Sequence, residues 1–142
     1  MAPQTALRDT TEQLIHLAKA FEGIEGALHE GRVVEARDLE RATRLALHLL
    51  SPGGYNDRER GFHPACDVVQ RNAVAAGRGE TEAKLRVQAS AREIARDLRL
   101  RAGSLLGSPI RDPAAPVADI ARLDSRYARY AGHPDIDVTT TR

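Results

Sequence analysis

Cys66 lies three residues after His63 in the run His63-Pro64-Ala65-Cys66, and proline at the second of these positions is suited to open a helix. A thiol in a first helical turn lies among amide hydrogens that lack intrahelical partners. Those hydrogens favour the thiolate, and a neighbouring imidazole can take its proton. His63 and Cys66 are therefore the catalytic candidates of the chain. Against this reading, spacing alone identifies no third group that would orient a base. A lone cysteine is also commonly a small, inert core residue.

Metal chemistry has a weaker basis. The five histidines are His16, His29, His48, His63 and His133. Glu12 with His16 and Glu25 with His29 have the four-residue spacing that puts two ligands on one helical face. A carboxylate-histidine centre needs matching pairs on the helices opposite, and the second and third predicted helices supply none. Both pairs flank the apolar stripe of their helix and read as solvated. His63 and Cys66 do not complete a closed zinc site. No metal and no other cofactor is expected.

A third constellation is basic. Lys84, Arg86, Arg92, Arg96, Arg99 and Arg101 face only Glu93 and Asp97. Arg92, Arg96 and Arg99 fall at i, i+4 and i+7, on one face of a predicted helix and opposite much of its apolar stripe. Such a face can lie along nucleic-acid phosphates. There is no helix-turn-helix pattern and no aromatic interleaving to read single strands. A Gly-rich phosphate loop, a nucleophile elbow and a Cys-x-x-Cys pair are absent as well.

The elements that must carry these residues are helical. Leu7, Leu14, Phe21 and Leu28 recur every seven residues, and Thr10, Leu17 and Ile24 recur three positions later. This is an a/d seam with one polar member, expected to bury against another helix. The first helix starts between Thr5 and Thr10 and ends near Glu30, stopped by Gly31. A second, from about Val33 to Leu50, carries Leu39, Ala42, Ala46 and Leu49. Ser51-Pro52-Gly53-Gly54 opens a long irregular stretch reaching His63, with two aromatics and four charges. The third helix runs from Pro64 to about Ala76. The fourth, about Glu80 to Leu106, carries Val87, Ala91, Ile94, Leu98, Ala102 and Leu105. Asp112 caps a fifth with Ile120, Leu123, Tyr127 and Tyr130.

The expected fold is thus all-α: a four- to five-helix bundle with an N-terminal helical hairpin packed on the long fourth helix. Residues 1–134 form one domain and 135–142 a flexible C-terminal tail. At 142 residues and a formal net charge of +1, the chain is long enough for a real core, and its overall charge selects no partner. One cysteine permits no intrachain disulfide. Neither a secretory signal nor a membrane span is visible, so a cytoplasmic protein is expected.

The functional reading is a small non-catalytic helical interaction or assembly protein, whose partner is itself or another helical protein. Leu7, Leu14, Leu17, Phe21, Ile24 and Leu28 are the interface candidates. The predicted second helix is too short to cover the first, and the fourth, though long enough to cover the remainder, must also receive the third and fifth. A homodimer in which part of the first helix packs across a two-fold axis is therefore expected. The first alternative is a nucleic-acid-binding regulator using Arg92, Arg96 and Arg99. The second is an enzyme using Cys66 and His63.

Overall fold

The computed structural model describes residues 10–51, 62–104 and 117–131. They form five α-helices: α1 Thr10–His29, α2 Ala36–Leu50, α3 Pro64–Gly77, α4 Thr81–Ser104 and α5 Val117–Tyr127. A 3-10 turn, Ala128–Tyr130, continues α5. There is no strand among the described residues, and the protein is an all-α bundle. No helix among them is long and apolar enough to cross a membrane.

Local chemistry explains the boundaries. Gly31 takes φ 84 just past α1, a left-handed conformation that lets the chain turn while the Arg32 amide hydrogen bonds back to Ala27. α2 begins at Ala36, later than the apolar spacing predicts, because Val33 and Val34 precede it in non-helical backbone. Val34 is buried there, while Val33 is exposed. α3 opens at Pro64 as expected, and Gly79 makes the turn into α4 with φ 86.

The centre of the bundle is α1. Thirteen of its twenty residues are buried, including Gln13, Ala18, Ala20, Gly23, Glu25, Gly26 and Ala27 outside the a/d seam. A helix buried on most of its circumference needs covers on several sides. α1 packs most extensively on α4, then on α5 and the 3-10 turn, and only lightly on its chain neighbour α2. α3 bridges α4 and α2. The predicted stripe of α2 and that of α4 from Val87 to Ala102 face this core, and α3 adds Cys66, Val69, Ala73 and Ala76 to it; Leu105 lies outside the described residues.

The seam is therefore covered within the chain. Leu14, Leu17, Phe21 and Ile24 are fully buried and Leu28 is 5% exposed; Leu7 lies outside the described residues. A second copy has no exposed seam to cover over these five residues. The fifth helix was expected to compete with the first for α4. It packs on α1 instead, so one side of α1 is left to α4 and another is closed by α5.

That closure depends on two glycines. A Cβ on Gly23 would lie 1.8 Å from the Tyr127 carbonyl oxygen, and one on Gly26 would lie 2.1 Å from that of Tyr130. The end of α5 thus rests its backbone directly on the bare side of α1, at a distance only glycine permits. The predicted tail, 135–142, lies outside the described residues, as do the Asp112 cap and most of the irregular stretch before His63.

Candidate functional site

The structure supplies the orienting group missing from the Cys66 spacing, but the hydrogen bonds of His63 run to Asp97 and to the Ala65 amide. His63 Nε2 lies 2.7 Å from Asp97 Oδ2 on α4. His63 Nδ1 accepts a hydrogen bond from the Ala65 backbone N–H at 3.2 Å and so caps α3. With Nδ1 an acceptor and Nε2 facing a carboxylate, both ring nitrogens are occupied. Cys66 is fully buried. Burial pushes its thiol up to about 12, and the Asp97 charge adds to the shift. A thiolate is the reactive form, and this environment suppresses it.

The α4 arginines are turned to the bundle's own carboxylates. Arg92 Nε donates to Glu25 on α1 at 2.7 Å, and Arg99 makes a two-pronged pair with Glu22 at 2.6 and 2.9 Å. Arg96 is the exception, with Glu93 and Asp97 only at 3.9 Å. Glu25 is 2% exposed, contrary to its expected solvated position. Burial raises its pKa above 4.5, while the Arg92 hydrogen bond and charge oppose the rise. His16, of the other expected solvated pair, is hydrogen-bonded to Asp124 on α5. Among the described residues no three His, Cys, Asp or Glu side chains gather as a metal site.

A different set of residues forms an open cleft of about 460 Å³ where the α1–α2 connection meets the end of α5. Arg32, Glu35, Arg126, Arg129, Tyr127 and Tyr130 line it. Two of these lining residues, Arg126 and Tyr127, are held by Asp38, which lies in the first turn of α2 and is only 6% exposed. Asp38 Oδ2 accepts from the Tyr127 hydroxyl at 2.5 Å and from Arg126 at 2.7 Å. Burial, then the hydrogen bond to Asp38, raises the Tyr127 phenol above its ordinary value of 10.0 and keeps it a donor. Arg41 and Asp119, 2.9 Å apart, add a second tie between α2 and α5.

The rim of the cleft is less satisfied. The guanidinium carbons of Arg32 and Arg129 lie 5.1 and 5.2 Å from the centre of the Tyr130 ring, within cation–π range of it. Arg32 reaches Glu30 only at 3.5 Å. Arg129 has no carboxylate within salt-bridge distance among the described residues. Two guanidinium forks are thus held near one aromatic ring, with their hydrogen-bonding capacity largely unspent.

None of these residues stood out as a site in the sequence. Tyr127 and Tyr130 read as apolar positions of the fifth helix, and both pack on the core, Tyr127 buried and Tyr130 partly so. The available signal was the doubled Arg-Tyr of Arg126-Tyr127-Ala128-Arg129-Tyr130, which holds two of the chain's three tyrosines. Arg32 and Asp38 could not be joined to it by spacing, because only the fold brings the α1–α2 connection to the end of α5.

Comparison with known proteins finds no family model, no curated protein and no solved structure that matches this chain.

Proposed function

We propose that the protein is a non-catalytic helical interaction module that binds an acidic segment of another protein in the Arg32–Arg129–Tyr130 cleft. The observation that carries this reading is the pair of guanidiniums over the Tyr130 ring, of which Arg32 meets a carboxylate only at 3.5 Å and Arg129 meets none within salt-bridge distance among the described residues. Arginine and tyrosine are the residue types that dominate binding energy at protein interfaces. Both combine a rigid flat surface with directed donors. The occupied nitrogens of His63 and the suppressed thiolate of Cys66 favour binding over covalent chemistry. The intrachain cover of the seam favours a partner other than a second copy. A reducing cytoplasmic setting belongs to the same proposal and fits a chain with one cysteine.

The test is fluorescence anisotropy with a labelled glutamate-rich peptide at low and at physiological salt. Binding is expected to weaken with salt and to be lost in the Arg32→Glu/Arg129→Glu double variant, whose helicity should match the wild type. No binding at low salt, or binding that the double variant retains, would overturn the reading.

A further inference from the structure

We infer that the anion preferred by this cleft is a phosphate monoester carried on a peptide segment. The inference rests on the interaction reading above and narrows its partner. Three features of the rim select the anion. First, Arg32 and Arg129 each offer a planar fork of donors, and both forks are anchored to the same ring at 5.1 and 5.2 Å. A carboxylate has two oxygens and one charge. A phosphate monoester has three terminal oxygens and close to two charges, so it offers acceptors to both arginines that line this one cleft.

Second, the stacking pre-orders two long side chains that would otherwise lose rotamer freedom on binding. Third, the competing carboxylates are loosely held. Glu30 lies 3.5 Å from Arg32, and Glu35, on the rim, lies 3.9 Å from Arg37. These are exposed pairs of small worth that a dianion can displace. Asp38 does not compete, because Arg126 and Tyr127 already satisfy it. Arg126 lines the cleft with its charge paired to Asp38 through Nη1, and its remaining N–H groups can still donate. Glu35, the residue before the first turn of α2, lines the cleft, so the positive end of that helix's dipole lies beside the same rim.

A free phosphate would use the same donors, but the cleft is open and of about 460 Å³, far larger than one phosphate group. The surplus length suits flanking peptide, with Tyr127 and the Ala27 side of α1 as walls.

Three labelled peptides of one sequence decide the matter: phosphoserine, serine and glutamate at the central position. They are titrated by anisotropy against the full chain, with inorganic phosphate as competitor. The phosphoserine peptide is expected to bind at least about tenfold tighter than the glutamate peptide, as expected for an added charge-assisted contact. Arg129→Ala should erase that difference. Arg129→Lys should keep less than half of it on a logarithmic scale, because it restores the charge but not the fork.

Equal affinity for the phosphoserine and glutamate peptides would overturn the phosphate preference and leave the acidic-partner reading intact. Failure of both to bind would overturn both. Inorganic phosphate binding as tightly as the phosphopeptide would overturn the peptide carrier. A preference that survives in Arg32→Ala and Arg129→Ala would place phosphate binding elsewhere and overturn the assignment of this cleft.

Discussion

Two groups of arginines in this bundle illustrate how one side chain serves different ends. On α4, Arg92 and Arg99 cross to Glu25 and Glu22 of α1 at 2.7 and 2.6 Å and fasten the two central helices. At the α5 corner, Arg32 and Arg129 stack on Tyr130 and have no carboxylate closer than 3.5 Å among the described residues. In the sequence the α4 group looks more like a binding face, since its helical spacing is regular. In three dimensions that regularity serves packing, because α1 presents glutamates in the same register. The availability of a guanidinium depends on what lies opposite it, and spacing along one helix does not record that.

The strongest way to break the comparison is to remove the corner. Gly26→Ala puts a methyl group where the Tyr130 carbonyl oxygen lies 2.1 Å away, and the obstacle is backbone. The about 1 kcal/mol of helix propensity gained cannot offset that overlap. We expect a loss of about 3 kcal/mol or more, at the upper end of overpacking effects. Urea denaturation measures it. Gly103→Ala is the control: nothing lies within 4 Å of its Cβ, so the same substitution should stabilise by up to about 1 kcal/mol. Similar losses for both variants would refute the close-contact account.

The next effect separates two pairs within the α4 group. Arg92→Ala leaves Glu25 buried without its donor and should cost about 1–3 kcal/mol. Arg99→Ala breaks a more exposed pair and should cost about 0.2–1 kcal/mol. Equal costs would mean that burial of Glu25 is not what matters. The pH dependence gives a second check. The folded pKa of Glu25 lies above its ordinary 4.5, so the folded state binds this proton more readily than the unfolded state does. Its contribution is then fullest at low pH and declines as pH rises through the folded value. Glu25→Gln should flatten that part of the stability profile.

The smallest effect on stability belongs to the corner arginine. Arg129→Ala should change unfolding free energy by no more than about 0.5 kcal/mol, as for an ordinary surface position. Its effect should appear in binding alone. A large loss of stability would make Arg129 a structural residue like Arg92 and dissolve the contrast between the two groups.

These cases mark what spacing could reveal. The seam residues from Leu14 to Leu28 were legible as buried, because their apolar character repeats at a helical period. Their partner was not. α1 also buries Ala, Gly, Gln13 and Glu25, which a hydrophobic pattern does not register, so its central position was hidden. Pro64 and Gly31 marked their boundaries through fixed backbone preferences. Val33 did not mark the start of α2, since Val33 and Val34 lie outside the helix, where Val34 is held by packing. The pairing of His63 with Asp97 spans 34 residues, and that of Asp38 with Tyr127 spans 89. No local rule connects positions so far apart.

The burial of Cys66 has a practical consequence. The chain's single thiol is buried in the layer that joins α3 to the core, with its reactive form suppressed. A small alkylating reagent can reach it only while that layer is parted. The modification rate, divided by the rate of the same chain in denaturant, then measures the fraction of time the layer is open, provided reclosing outpaces labelling. The molecule carries its own clock for that opening. A peptide that docks at the α5 corner and slows the clock would reveal that this corner and the surroundings of Cys66 are energetically coupled.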